Sequence, residues 1–337
     1  MKKQKNFKPI ENLKPEFLER LKILLPEKKD FENYINILSK QPVKSIRCNT
    51  LKISPNKLKE KLENNYNWKI KQPWKNYPEI MIIESELSPG ELGRSLEHLL
   101  GYYYVQELAS TLPVISLNLD SEKQELILDL AAAPGSKTTQ IASEMENSGT
   151  IIANEVSLGR LKILASNLER CGVTNTIITR KDGPAFCKRI LKYNPEIKFD
   201  KILIDAPCSG EGTLRSSQQT YRMWNPKTIK QLSKLQKIML SNALNILKEK
   251  GEIIYSTCTH APEENEEIIN SILENEDFKG KIKIEKLNLP KELFIRQGIT
   301  KWKDKTYSEE IKKTARIYPH DNDTEGFFIA KLKKIKK

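Results

Sequence analysis

ELILDLAAAPGSKTTQIASEM, residues 125–145, decides the fold. ELILDL reads as an apolar strand, AAAPGSK as a turn of small residues around Gly135, and TTQIASEM as the start of a helix. The same order recurs downstream. GTIIANEV is a second strand, followed by a helix that Ser157 can cap. Leu158, Leu161, Ala165 and Leu168 fall on one face of that helix and Gly172 ends it. NTIITRKD is a third strand and KILIDAP a fourth. Asn225-Pro226 opens a long helix with Ile229, Leu232, Met239 and Ala243 on one side. GEIIYSTC is a fifth strand, a further helix starts at Pro262 with Glu263 and Glu264 in its first turn, and EGFFIAKLKK is the last strand. This alternation implies an α/β fold with a parallel, doubly wound sheet.

The chain's 337 residues suit a large domain with a smaller one attached. Residues 1 to about 75 are lysine-rich, with helical patches FLERLKILL and PNKLKEKLEN, and SIRCNTLKIS (45–54) alternates like a strand. LSPGELGRS (87–95) carries a Pro-Gly turn, and an aromatic stretch, GYYYVQELAS, follows it. The expected division is a helical extension over 1–44, a small α+β domain over 45–95 that includes the preceding helices, and a large domain over 96–337. The 57 basic against 44 acidic side chains give a net charge of +13, which favours a polyanionic partner. No run of eighteen apolar residues spans a membrane, and the basic start MKKQKNFKPIENLKPEF lacks the apolar stretch of a signal peptide. The 5 cysteines include no Cys-x-x-Cys pair and the 3 histidines are scattered, so no metal site is expected and the thiols point to the cytoplasm.

In doubly wound sheets the ligand lies beyond the carboxyl ends of the strands. The first strand ends in Asp129 and then Ala131, Ala132, Ala133, Pro134, Gly135, Ser136 and Lys137, where small residues let a ligand approach the backbone. This is neither a Walker loop nor GxGxxG, so phosphate is not indicated. Glu155, ending the second strand, suits a ribose hydroxyl pair, and Asp182, ending the third, suits an adenine amino group. Together they favour a neutral or cationic nucleoside such as S-adenosylmethionine.

The fourth strand ends in Asp205-Ala206-Pro207-Cys208 and the fifth in Ser256-Thr257-Cys258-Thr259. Neighbouring strands lie about 4.8 Å apart, so both thiols can face one substrate. Cys171 and Cys187, on helices, read as small buried apolar residues. A thiolate beside a sulfonium donor suits methylation of cytosine at carbon 5: addition at carbon 6 makes carbon 5 nucleophilic, and the thiolate leaves after carbon 5 loses its proton. Asp205 can serve ring nitrogen 3 if burial raises its pKa. The helix at Pro262 favours a thiolate at Cys258, but Glu263 and Glu264 blunt that effect, and the residues alone leave the attacking thiol undecided between Cys208 and Cys258.

GYYYVQELAS, DLAAAPGSKTTQIA, NEVSLGRLKILASNLERCG, DGPAF, FDKILIDAPCSGEGTLR, GEIIYSTCTHAPEENEEII and RIYPHDNDTEGFFIAKL follow one another in the chain. In this order the chain, from about residue 45 onward, resembles the RsmB/Nop2/NSUN (Sun) family of RNA cytosine-5 methyltransferases. The resemblance implies a Rossmann-like class I methyltransferase domain behind a small RNA-binding domain. It implies Cys258 as nucleophile, Cys208 in product release, and Asp205 and Lys137 near the target ring. It also implies cofactor contacts at Ala131 through Lys137, Glu155, Asp182 and Asp205. The family's loop usually reads Cys-Ala-Ala-Pro-Gly-Gly-Lys; Ala131 and Ser136 depart from it. The chain looks most like short tRNA-modifying members, notably archaeal ones, so tRNA is favoured over rRNA and a monomer is expected. Arg47, Lys52, Arg215, Arg222, Trp224 and the tail KLKKIKK are the expected phosphate or stacking contacts, and the target base must leave its stack to reach a thiol in a crevice.

Overall fold

The computed structural model describes residues 13–335; residues 1–12 of the expected extension and Lys336 and Lys337 of the basic tail lie outside the described residues. Two helices come first, α1 (Pro15–Leu24) and α2 (Lys28–Ile37). Pro15 takes the first helical position of α1, where its missing N–H costs nothing. A small antiparallel sheet follows, from β1 (Lys44–Cys48), β2 (Ile70–Lys71), β3 (Ile80–Ile83) and β4 (Tyr103–Val105), in the order β2-β3-β1-β4, with helix α3 (Pro55–Tyr66). Leu58 and Leu62 of α3 pack on Ile46, Met81 and Tyr103 of this sheet.

Two features differ from the expected division. The aromatic strand β4 belongs to the small sheet, because Ile46 to Cys48 pair with Val105 to Tyr103, so that sheet draws on residues beyond 95. Helices α1 and α2 do not join the small sheet. Their Phe17, Leu21, Leu25 and Tyr34 cluster with Trp224, Ile229 and Tyr318 of the large domain.

The large sheet has five parallel strands: β5 (Leu126–Asp129), β6 (Thr150–Asn154), β7 (Thr176–Thr179), β8 (Phe199–Asp205) and β9 (Leu247–Thr257), ordered β7-β6-β5-β8-β9. The helices α4 (Ser136–Glu144), α5 (Leu158–Cys171), α6 (Gly183–Tyr193), α7 (Gln218–Met223), α8 (Pro226–Asn245) and α9 (Glu266–Leu273) connect or flank them. Successive residues point to opposite faces, as a period of two requires. Leu128, Ile204 and Tyr255 join Met239, Ala243 and Ile269 of α8 and α9. Ile127, Leu203 and Ile254 join Leu112, Ile141 and Met145 on the other side. With both faces covered, the central strands carry near-continuous apolar runs.

The sheet is not parallel throughout. Beyond β9 come β10 (Ile282–Glu285), β11 (Arg296–Gln297), β14 (Ala315–Ile317) and β15 (Phe327–Lys334), with a separate two-stranded hairpin of β12 (Lys301–Trp302) and β13 (Lys305–Thr306) between β11 and β14. β15 runs antiparallel to β9, from Phe328 opposite Thr257 to Lys333 opposite Glu252. The connection from Ile317 to Phe327 is shorter than the dozen or so residues a parallel crossover needs, so β15 returns antiparallel to β14 as well.

The helix after β6 is capped by Ser157, whose side chain accepts from Arg160 N, and ends at Gly172 with φ 73°. Its buried face is Leu164, Leu168 and Cys171, however, and Leu158 is exposed. Pro262 opens a single 3-10 turn, Pro262–Glu264, and the α-helix begins only at Glu266.

Candidate active site

The carboxyl ends of β5, β8 and β9 converge on a cleft of about 520 Å³, lined among others by Ala133, Pro134, Ser136, Lys137, Asp205 and Cys258. Pro42 to Ser45 and Val105 to Glu107 form its other wall, so the small sheet closes it. The turn after β5 is held from below. Ala132 N donates to Asn154 O (2.9 Å), and the Thr138 hydroxyl donates to Asp129 Oδ2 (2.7 Å). Burial raises the Asp129 carboxyl to about 6 despite that bond and the Lys137 charge. Gly135 sits at φ 106°, a conformation that suits glycine, and a Cβ there would come 3.0 Å from Leu164 Cδ1 of α5. The loop therefore packs its underside on α5 and leaves its upper backbone to the cleft.

Lys137, almost buried, reaches across the cleft floor. Its Nζ donates to Asp205 Oδ2 (2.7 Å) and to Ser110 Oγ (2.9 Å), while Ser256 Oγ donates to Asp205 Oδ1 (2.8 Å). Both Asp205 oxygens are thus acceptors already engaged at the mouth of β8. The Asp205 side chain is 31% exposed, so it still faces the cleft.

The two thiols meet. Cys208 Sγ and Cys258 Sγ lie 3.3 Å apart. They open on different spaces: Cys258 lines the large cleft, and Cys208 lines a separate cavity of about 290 Å³ with Ser209, Thr220, Met223, Asn225 and Thr228. The contact with Cys258, then burial, then the nearby Glu264 and Asp205 carboxyls push the Cys208 thiol well above the usual thiol range. The loops that carry the thiols are tied to each other. Gly212 N donates to Cys258 O (2.9 Å), and Ser209 Oγ pairs with Thr259 Oγ1 (2.8 Å). Glu264 Oε2 accepts from Ser209 N (3.0 Å) and from Gln236 Nε2 (2.8 Å). Thr257 donates to Asn265 Oδ1 (2.6 Å), whose amide donates back to Thr259 O (2.9 Å).

Of the expected cofactor residues, Ala133, Pro134, Ser136, Lys137 and Asp205 line the cleft, while Ala131, Ala132, Gly135, Glu155 and Asp182 are set back from it. Glu155 is buried, accepts from Ser157 N (2.8 Å) and pairs with Arg160 (3.4 Å). Asp182 caps α6, accepting from Ala185 N (3.0 Å), which is the ordinary role of an acid at a helix start. Arg160 escaped the sequence reading. It lines the cleft and spans from Glu155 to the carbonyl of Ala133. Asn154 was missed too; its amide bonds Leu130 O (3.1 Å) and Lys181 O (3.0 Å), fastening three strand ends together. An amide at the end of an apolar strand was the available signal for it.

Three of the five expected RNA contacts are internal struts, and a fourth, the exposed Lys52, is tied to backbone carbonyls. Buried Arg47 bonds Gln106 Oε1 (2.9 Å) and Thr139 Oγ1 (2.8 Å), joining the small sheet to α4. Lys52 Nζ donates to Leu100 O (2.9 Å) and Arg170 O (2.8 Å), capping the last turn of α5. Arg215, buried, donates to Gln41 O (3.1 Å), Thr324 O (2.9 Å) and Asp323 (2.5 Å). Trp224 is buried, its Nε1 donating to Glu211 (2.8 Å) and its ring meeting Phe17 edge-on. Arg47, Arg215 and Trp224 engage buried partners that would otherwise cost free energy, and none of these three is exposed. Arg222 and Lys52 are exposed. The lysines of the tail within the described residues are part of β15, where Lys331 and Lys333 pair with Glu252.

A Rossmann-like sheet with a small-residue loop and two thiols at its ligand edge defines a methyltransferase architecture, and the comparisons agree. Residues 116–333 match the family model of 16S rRNA methyltransferase RsmB/F, and residues 13–108 match the N-terminal domain of 16S rRNA methyltransferase RsmF. The chain belongs to the RsmB/F family of methyltransferases. It is 38% identical over 320 residues to ribosomal RNA small subunit methyltransferase F of Vibrio campbellii, covering 95% of this chain and 63% of that one. It thus spans less than two thirds of the length of such relatives. It is 40% identical over 305 residues to the tRNA (cytosine(49)-C(5))-methyltransferase of Pyrococcus abyssi, covering 90% of this chain and 92% of that one. A methyltransferase homologue from Pyrococcus horikoshii superposes with a TM-score of 0.76 at 32% identity over 96% of this chain and 100% of that one. NSun6 from the same organism gives 0.79 at 25% identity over 97% and 100%. Members of the family are S-adenosylmethionine-dependent. The cleft fits such a group: its volume of about 520 Å³ holds a nucleoside with room for a base, over a loop of small residues with an acceptor at Asp205. Among the described residues no helix is long and apolar enough to cross a membrane.

Proposed function

We propose that this chain methylates carbon 5 of cytosine in an RNA, with tRNA favoured over rRNA, through a covalent bond between Cys258 and carbon 6. It would act as a cytoplasmic monomer. The observation that carries the reading is the pair of thiols 3.3 Å apart, of which Cys258 faces the cleft and Cys208 does not. The near-complete coverage of the Pyrococcus abyssi tRNA enzyme, 92% against 63% for the ribosomal relative, favours tRNA. An rRNA substrate, or a ribosome-assembly factor on the same fold, is the alternative, and the match to the RsmF N-terminal domain over residues 13–108 supports the rRNA reading.

Bound S-adenosylmethionine supplies an electrophilic methyl group. The Ala131–Lys137 loop, with Asp205, binds it, and Glu155, Asp182 and Arg160 shape and brace the strand ends around it. The Cys258 thiolate adds to carbon 6 of a flipped cytosine and moves an electron pair towards carbon 5 and nitrogen 3. Asp205 accepts from two donors in the structure, so it suits an N–H of the base, and the Lys137 ammonium beside it is the group that donates to the ring. After carbon 5 has taken the methyl group, its proton leaves to a base, the carbon 5–carbon 6 double bond reforms and the Cys258 thiolate is expelled. We assign that release to Cys208, whose Sγ lies 3.3 Å from that of Cys258.

The test is methyl transfer from labelled S-adenosylmethionine to separated tRNA and rRNA lacking their own cytosine-5 methylation, with wild type, Cys258→Ala and Cys208→Ala compared. We expect label in tRNA, its complete loss in Cys258→Ala, and a slow-migrating protein–RNA adduct on a denaturing gel in Cys208→Ala. Activity that survives Cys258→Ala but dies in Cys208→Ala reverses the roles. No 5-methylcytosine in either RNA class rejects the activity.

A further inference from the structure

We infer that the groove between α8 and the β12–β13 hairpin carries the phosphate backbone of the RNA, an inference that rests on the RNA methyltransferase reading above. The groove encloses about 490 Å³, with Pro226, Ile229 and Ile268 among its apolar lining. Lys230, Lys234 and Lys237 line it from α8 and Lys303 from the hairpin; all four are exposed. The three helix lysines stand at i, i+4 and i+7, so they share one side of α8. The carboxylates in the groove are already neutralised. Glu263 accepts from both terminal nitrogens of Arg20 (2.9 and 2.7 Å) and from Trp302 Nε1 (3.1 Å). Glu267 accepts from Lys305 (2.5 Å). Among the described residues none of the four lysines forms an ion pair within 4.0 Å; Lys303 Nζ instead lies 5.7 Å from the centroid of the Trp302 ring.

Four uncompensated cations around one concavity focus potential and attract an anion. At 1.5 Å per residue the lysine row spans about 10 Å, the length of about three phosphates along one strand of a duplex. Its place in the fold points to RNA rather than to an acidic protein. The first turn of α8 lines both this groove, through Pro226 and Ile229, and the cavity at Cys208, through Thr228. A backbone lying on the lysine row therefore passes the helix start that walls one of the two thiols. The excess of 57 basic over 44 acidic residues acts in the same direction.

The full chain carrying Lys230→Gln, Lys234→Gln and Lys237→Gln together is compared with wild type by RNA binding over a series of salt concentrations and by methyl transfer. The expected result is RNA affinity about ten-fold or more weaker near 0.15 M salt, with the salt dependence shallower by about two to three. KM for RNA rises, while kcat at saturating RNA, S-adenosylmethionine affinity and the melting temperature stay unchanged. The same three positions changed to arginine keep wild-type affinity within about two-fold, since charge rather than shape carries the contact. Unchanged affinity and salt slope in the glutamine variant overturn the inference, as does an arginine variant that binds as poorly. Binding is read without turnover. A wild type that binds RNA through these lysines but methylates none rejects the activity and leaves the groove standing. A wild type that methylates while the glutamine variant binds as well as it does rejects the groove alone.

Discussion

Glu264 sits at the hinge of the chemistry without touching the cleft. Its carboxylate accepts from Ser209 N, next to Cys208, and from Gln236 of α8, and burial raises its pKa from 4.5 to about 7 against those two bonds, with Glu211 adding repulsion. The folded protein therefore holds this proton more tightly than the unfolded chain does. Stability falls as pH rises from about 4.5 through about 7, where the buried group must ionise. Burial likewise raises Glu144 and Glu325 to about 7, so only a difference between proteins isolates Glu264. Glu264→Gln keeps an acceptor for Ser209 and removes the titration. Relative to wild type it gains about 2–3 kcal/mol between pH 5 and pH 8, from roughly 1.4 kcal/mol per pKa unit. Denaturant unfolding at those two pH values measures it, and a constant difference between the proteins contradicts the assignment. At this scale the sequence was legible for placement where a strand end carries a rare residue: Cys208 and Cys258 meet, and Asp205 and Cys258 line one cleft. It was illegible at Arg47, Arg215 and Trp224, because residue type states charge and ring but not exposure. A buried arginine that satisfies backbone carbonyls is indistinguishable in sequence from one that waits for phosphate.

Between elements, the contact of the β8 loop with the start of β15 fixes the thiols. Gly212 N donates to Cys258 O and Gly326 N donates to Gly212 O, both at 2.9 Å. A Cβ on Gly212 would fall 2.3 Å from Gly326 O, and one on Gly326 would fall 2.3 Å from His260 Cε1. At Gly212 backbone meets backbone, so no side chain can yield. Gly212→Ala is expected to cost about 2–3 kcal/mol as an overpacked site and to lower kcat by widening the gap between Cys208 and Cys258. S-adenosylmethionine affinity should hold, since the Ala131–Lys137 loop follows another strand and Asp205 is held by Lys137 and Ser256 rather than by Gly212. Calorimetric binding and single-turnover methyl transfer separate the two effects; equal loss of cofactor affinity and turnover points to general unfolding instead. The strand-loop-helix repeats that gave β5 to β9 were readable because apolar runs ending in glycine or helix caps are local signals. The antiparallel pairing of β15 was not, since direction depends on how long the connection from β14 is. β4 was assigned to the wrong unit for a similar reason: an edge strand of three residues declares its partner only in space.

At the scale of the molecule, the N-terminal helices are held to the catalytic half by a charged clamp as well as by their apolar face. Arg296 lies between Asp30 of α2 (2.5 and 2.7 Å) and Asp321 (2.7 and 2.8 Å), with Tyr318 stacked 4.9 Å from the guanidinium. Arg296 is the main cause holding the Asp30 carboxyl below its usual value, and the His320 ring nitrogen lies 2.8 Å from the same carboxylate. Asp30, His320 and Asp321 also form the cluster among the described residues that could gather three metal ligands, and the Arg296 guanidinium already fills the centre of it. Arg296→Met leaves two partly buried carboxylates facing each other. Partial exposure tempers the usual penalty for a broken buried pair, so the expected cost is about 2–3 kcal/mol. The sign with pH follows from the depressed Asp30 pKa. The clamp is complete above the ordinary carboxylate range and weakens as pH falls through the Asp30 value, so the variant should differ most from wild type at neutral pH and least in acid. Because α1 and α2 also pack on Trp224 and Ile229, beside the cavity at Cys208, loosening them should expose that wall. Limited proteolysis at pH 7 should cleave the N-terminal helices from Arg296→Met well before the catalytic core is cut, with no such gap in wild type. Equal cleavage rates would mean that the apolar cluster holds the helices unaided.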